Sequence, residues 1–174
     1  MTDQHDLEPR PIFVGGRWAT SPMVMQIDNP ALEHRLALWV SHYYGAKVVF
    51  IWSGNFYTFG DDFWQTLTLD SKPSGFPYAG VHNGNGWIVY PSPDGQSTLP
   101  SLRLKVIRDG LQDIALMEAV RAAIDAGTTK GKKATDLAEL LDPVPEVFVH
   151  PHYFNQLPET LLARREAILR AVKE

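Results

Sequence analysis

The sequence predicts an α/β fold, and three observations carry that reading. A helical pattern from Asn29 to Tyr44 runs directly into a β-branched and aromatic run, Lys47 to Trp52. A loop rich in Gly, Pro, Asn and aromatic residues then extends from Gly54 to Pro100. A second, longer helical pattern follows from Ser101 to Ala126. A helix passing at once into a strand is the alternation from which α/β architectures are built.

Each element has a local cause. Ile12 to Val14 and Met23 to Ile27 read as short strands. Asn29 is placed as N-cap of the first helix with Pro30 at its first position, where a missing N–H costs nothing. Leu32, Leu36, Trp39 and Tyr43 form its apolar stripe, and Gly45 supplies a left-handed stop. The run Lys47 to Trp52 has the unbroken apolar character of a strand covered on both faces. Paired turn signals, Asn83-Gly84 and Asn85-Gly86, precede Trp87 to Tyr90. In the long helix, Leu102, Val106, Leu111, Ile114, Met117, Val120 and Ile124 are expected on the buried stripe, ending at Gly127. Thr128 to Ala134 reads as a linker, Asp136 to Leu141 as a short helix and Pro143 to Pro158 as a Pro-punctuated crossing. Pro158 opens a last helix in which Leu161, Arg165, Ile168 and Val172 share a side.

Composition narrows the function classes. The 174 residues are 44% hydrophobic and 21% charged, ordinary values for a globular domain with a sizeable core. A formal charge of −4 with scattered Lys and Arg offers no basic field, so nucleic acid is not expected as a partner. With no cysteine, thiol catalysis, disulfides and cysteine-ligated zinc are excluded. Residues 1–10 are polar and lack an apolar signal core, and no apolar run approaches the roughly 18 residues of a membrane span. As written, the chain is expected in the cytoplasm, with export of a parent protein left open. Five Trp, six Tyr and eight Phe gather mainly between Phe13 and Tyr90, in keeping with sugar platforms and equally with a core.

Several residues are candidates for chemistry. Trp52, Asn55 and Tyr57 stand at or just past the end of the strand, where barrel enzymes build sites from βα loops. An indole face packs on the apolar face of a pyranose, and an amide both donates to and accepts from hydroxyls; equally, Trp52 can be core and Asn55 a turn cap. Trp64 is a candidate ligand contact or loop anchor. The neighbouring Asp61-Asp62 pair reads as solvated turn formers more than as an acid pair. Glu33 complements the start of the first helix. Arg35, Arg103, Arg108, Asp109 and Asp113 form an expected structural network clamping the long loop to the helix, since Asp109 and Asp113 share a face and need cations. His150 and His152 lack a third ligand in spacing, so no metal is expected, and no phosphate loop or nucleophile elbow calls for a cofactor.

At these residues the sequence resembles the glycoside hydrolase 123-like group, including the family catalogued as domain of unknown function 4091. Asp28 to Arg35 follows its "I-D-x-P-x-x-x-H-R" segment, and Trp52, Asn55 and Tyr57 its "Y-W-x-x-N-x-W" strand end. Asp62 to Trp64 resembles "D-P-W", Asn85 to Gly95 resembles "G-x-G-x-L-x-Y-P-G-x-x-G", and Ser101 to Asp113 resembles "S-x-R-L-E-x-x-R-D-G-I-E-D-Y-E-Y". The likeness spans about Ile27 to Val120. Ser92 replaces a glycine, and Gln112, Ile114, Ala115 and Leu116 depart from the last motif, so the chain is divergent.

The resemblance implies the C-terminal portion of a (β/α)8 TIM-like barrel: the last βα units with a long aromatic loop, then C-terminal helices. It divides the chain into a poorly matched arm at 1–26, a barrel segment at 27–127, and a linker with C-terminal helices at 128–174. The family's activity is that of β-N-acetylgalactosaminidases, using an Asp-Glu pair on about the fourth strand. On this alignment the pair falls upstream of the residues present, and Asp61-Asp62 does not inherit its role. The expectation is a hydrolase-like carbohydrate-active fragment that is not catalytic alone. Its rim is Trp52, Asn55, Tyr57 and Trp64, and its ligand a carbohydrate such as one containing N-acetylhexosamine. A partial barrel also implies self-association or pairing with a missing barrel half. The alternative is a non-catalytic carbohydrate-binding or structural module.

Overall fold

The computed structural model describes residues 12–14, 25–27, 29–51, 54–55, 84, 87–128, 134–151 and 153–173, with backbone only at 12–14, 134 and 173. Strand β1 (Ile12–Val14) pairs in parallel with β2 (Val49–Ile51), Ile12 opposite Val49, and helix α1 (Ala31–Tyr43) lies between them in sequence. Parallel neighbours need such a crossover, so this is a β–α–β unit. Strands β3 (Val89–Pro91) and β4 (Thr98–Pro100) form an antiparallel hairpin whose turn is held by the Ser92 hydroxyl on Asp94, and helix α2 (Leu102–Asp125) follows at once. Helix α3 (Ala134–Leu141), the hairpin β5 (Phe148–His150) and β6 (Tyr153–Phe154), and helix α4 (Pro158–Lys173) complete the described order.

The fold is thus a mixed α/β structure, and most element boundaries follow from local chemistry. Ser101 caps α2 by accepting the Leu104 N–H at 3.2 Å, and Gly127 lies just past its end. Gly45 closes α1 at φ +70, a conformation that carries no steric penalty without a Cβ. The start of α1 differs from expectation by one residue. Pro30, with ψ 140, is itself the N-cap, and the Asn29 amide donates instead to the Glu33 carboxylate.

Two further expectations are corrected. Val48 and Phe50 are exposed, Phe50 at 41%, so β2 is not covered on both faces. On α2 the buried face is Arg103, Ile107, Gly110, Asp113, Met117 and Val120, while Leu102 and Leu111 stand out at 73% and 54% exposed. The apolar count placed Met117 and Val120 correctly but passed over Arg103 and Asp113, buried members that are charged. The Pro-punctuated segment also holds the β5–β6 hairpin, and of the expected strand at 23–27 the described residues, 25–27, are not in a strand.

The core lies between the helices. Leu36, Trp39 and Val40 of α1 meet Ile107, Met117 and Val120 of α2, and Leu137, Phe148, Leu161 and Ile168 extend the same cluster. Phe148 meets Tyr43 edge-on with ring centroids 5.3 Å apart, a geometry aromatic pairs favour, which ties the β5–β6 hairpin to the last turn of α1. The α1–α2 approach is close because Gly110 presents no side chain. A Cβ there would sit 2.8 Å from Leu38 Cδ1 and 3.3 Å from the Arg35 carbonyl oxygen. No helix among the described residues is long and apolar enough to cross a membrane.

Candidate functional site

The carboxyl end of β2 is stitched to the start of α2 by backbone bonds. The Gly54 carbonyl accepts the N–H of Ile88 at 2.7 Å and of Val89 at 3.0 Å, and Asn55 bridges antiparallel to Trp87. The Ile88 carbonyl in turn accepts the Ser101 N–H at 3.1 Å. The end of the strand, the segment carrying Trp87 and the helix N-terminus therefore share one side of the molecule. On that side a groove of about 450 Å³ opens between the first turns of α1 and α2.

Its walls are apolar, from Ile27, Ala31, Leu102 and Val106, with polar groups from Asn29, His34, Tyr90, Ser101 and Arg103. Arg103 dominates the floor. It is 6% exposed; one terminal nitrogen donates to the carbonyls of Met25 and Gly84, the other to the Trp87 carbonyl and, at 2.9 Å, to the Tyr90 hydroxyl. Burial pushes its pKa down from the usual arginine value, and the Tyr90 contact opposes that. The guanidinium fork matches several acceptors at once, so one side chain fixes three chain segments.

Glu33 and His34 are buried in the first turn of α1. Desolvation raises the Glu33 pKa above the usual carboxylate value, and the Asn29 hydrogen bond pulls the other way. His34 Nε2 lies 3.1 Å from the Gln26 carbonyl, which requires the proton on that nitrogen. No carboxylate lines the groove among the described residues, and its polar groups can donate to and accept from a bound ligand.

Below the groove the charges form a separate knot. Asp113, 1% exposed, accepts Arg35 at 2.6 and 2.8 Å, the Trp39 indole N–H at 2.9 Å and Arg165 at 2.6 Å. One carboxylate on α2 thus joins α1 and α4. Arg108 and Asp109 instead pair with each other at 2.7 Å near the surface. The Arg108 hydrogen bond holds the Asp109 carboxyl below the usual range.

Of the four expected sugar contacts, Asn55 is exposed at the strand end, while Trp52, Tyr57 and Trp64 lie outside the described residues, as do Asp61 and Asp62. Of the network residues, Arg103 grips loop carbonyls, Arg35 meets Asp113, and Arg108 meets Asp109. Sequence reasoning missed the groove residues Tyr90 and Ser101 as a pair and missed Arg165 as a partner of Asp113. The Ser-x-Arg pattern at Ser101 and Arg103 was the available signal for the first. His150 is exposed and packs on Tyr153, His152 lies outside the described residues, and no metal-binding group of three side chains forms among those described.

Residues 24–120, more than half of the chain, match the glycoside hydrolase 123 catalytic domain. The chain belongs to the glycoside hydrolase 123 family. The matched stretch contains α1, β2, the β3–β4 hairpin and most of α2, so the groove, Arg103 and Asp113 all fall within the glycoside hydrolase 123 region, whereas Arg165 lies beyond it. No curated protein matches the chain.

Proposed function

We propose that this glycoside hydrolase 123 member is a carbohydrate-active protein whose residues form the sugar-facing rim of a (β/α)8 barrel, in its last βα units. The observation that carries the reading is the catalytic-domain match at 24–120, laid over the order helix, strand, long loop, helix. The parallel β1–β2 pair with α1 between it suits consecutive barrel strands, and a groove at the start of α2, the helix that follows β2 in the chain, suits a barrel site. The proposed contacts are Trp52, Asn55, Tyr57 and Trp64, with aromatic faces for pyranose rings and the Asn55 amide for hydroxyls. The ligand is proposed to be a saccharide containing N-acetylhexosamine, by relation to β-N-acetylgalactosaminidases. Binding rather than unaided bond cleavage is the role proposed for these residues.

The test pairs a titration with N-acetylgalactosamine and its oligosaccharides with a hydrolysis assay on aryl β-N-acetylgalactosaminide. Binding without turnover, weakened at least tenfold in a folded Trp52→Ala variant, supports the rim; a tenfold loss is about 1.4 kcal/mol, within reach of one aromatic contact. Turnover abolished by Asp61→Asn or Asp62→Asn would move the chemistry onto that pair and overturn the binding-only role.

A further inference from the structure

Arg103 spends its terminal nitrogens on the protein itself. One donates to the Met25 and Gly84 carbonyls and the other to the Trp87 carbonyl and the Tyr90 hydroxyl, which accounts for the four N–H groups those nitrogens carry. The terminal donors thus reach a ligand only through the chain they hold. That chain is a single turn. The Trp87 N–H donates to the Gly84 carbonyl at 3.0 Å, so Gly84 and Trp87 are the two ends of a closed turn, and Arg103 takes the carbonyl of each.

The end of β2 hangs on the same turn. Trp87 bridges antiparallel to Asn55, and the next two N–H groups, of Ile88 and Val89, both donate to the Gly54 carbonyl. Trp87 is fully buried, with its ring edge-on to Tyr90 at 6.4 Å between centroids, whereas Asn55 is exposed beyond a strand of three residues. An exposed amide with little packing of its own takes its place from the buried partner. The turn also has one seat against the guanidinium. A Cβ on Gly84, at φ +62, would lie 2.6 Å from Ile27 Cδ1 and 2.9 Å from a terminal nitrogen of Arg103.

We infer that Arg103 is a positioning residue for sugar binding: through the 84–87 turn and the Asn55–Trp87 bridge it sets where the Asn55 amide meets a ligand hydroxyl. Hydrogen bonds weaken steeply off their axis, so an amide moved with its turn loses its contact without leaving the site. Asn55 as a sugar contact rests on the function proposed above; the link from Arg103 to Asn55 does not.

The full chain is compared with Arg103→Lys and with Gly84→Ala, which pushes the turn off its seat and leaves the guanidinium in place. Ile168→Ala, which truncates a buried side chain of α4, controls for general destabilisation. NOEs across the Asn55–Trp87 bridge are read without ligand, and affinity for N-acetylgalactosamine is read by titration. Both clamp variants should lose the bridge NOEs and bind about fivefold more weakly, the order of one lost hydrogen bond, while Ile168→Ala keeps both. In a double-mutant cycle, Arg103→Lys should cost no further affinity once Asn55→Ala is present, a coupling that a purely stabilising residue would not show.

Bridge NOEs intact in both clamp variants overturn the positioning role, whether or not a sugar binds. Sugar binding with additive losses in the cycle overturns it as well, while sparing the carbohydrate reading. No binding of N-acetylgalactosamine by the parent chain overturns that reading and the sugar half of the inference with it, and loss of the bridge NOEs would then support the link alone.

Discussion

The indole N–H of Trp39 donates to the carboxylate of Asp113 at 2.9 Å, across the α1–α2 interface and out of water. The same carboxylate takes Arg35 in a two-pronged contact, so α2 fixes both the rotation and the height of α1 with a single side chain. The first turns of the two helices, and hence the groove, inherit that alignment.

Asp113→Ala should therefore destabilise the chain substantially. Removing one member of a buried ion group leaves uncompensated cations, and since Arg165 retains solvent access the expected cost is about 3 kcal/mol, at the low end for such sites. Denaturant unfolding of the variant against the parent measures it, and a loss below about 1 kcal/mol would mean that the contact is incidental.

Gly110→Ala should destabilise even though alanine is the better helix former. The gain in helix propensity is about 1 kcal/mol, against roughly 1–3 kcal/mol for forcing a methyl into a closed contact, leaving a net loss of about 1 kcal/mol. The added Cβ meets Leu38 Cδ1 first, so the penalty should shrink in a Leu38→Ala background. Additive effects in that double mutant would place the strain elsewhere.

Arg103→Lys keeps the charge but cannot span Met25, Gly84 and Trp87 together. A loss of about 2 kcal/mol is expected from carbonyls left without donors. Amide exchange at Trp87 and Ile88 should accelerate ahead of that in the middle of α2, because the clamp acts on the loop side. Uniform acceleration would contradict a local role.

Glu33 predicts a pH signature. Its folded pKa is raised by burial, so its contribution to stability is fully present below the unfolded value near 4.5 and is lost as pH rises through the folded value. Glu33→Gln keeps an acceptor for Asn29 and removes the buried charge. The variant should gain stability over the parent at pH 7, and the gain should fade toward pH 4. Asp109 runs the opposite way, its lowered pKa giving stability that is lost on acidification, so the difference between variant and parent is the quantity to follow.

Much of the fold was legible because its signals are local. Ser101 announces the start of α2, Gly45 and Gly127 stand just past the ends of their helices, and the switch from a helical pattern to Val49–Ile51 marks the β–α–β unit. The packing face of α2 was legible only in part: Met117 and Val120 lie on it as the apolar pattern requires, but Arg103 and Asp113 are buried by partners distant in sequence while Leu102 and Leu111 face outward. The groove was hidden for a related reason. Its residues come from before α1, from β3 and from the first turns of both helices, a convergence that only the folded backbone creates. The family motif carried its residues without stating their contacts: the Arg108-Asp109-Gly110 triplet contains the glycine against which Leu38 packs.

Arg165 has an evolutionary consequence. It lies outside the stretch shared with the family, yet it holds an acid inside it. Position 113 cannot drift to an apolar residue without stranding cations at both 35 and 165, so these three positions must change in concert. A related sequence with a hydrophobic residue at 113 is expected to have lost both arginines, which makes the tail of this chain a record of what its family core has kept.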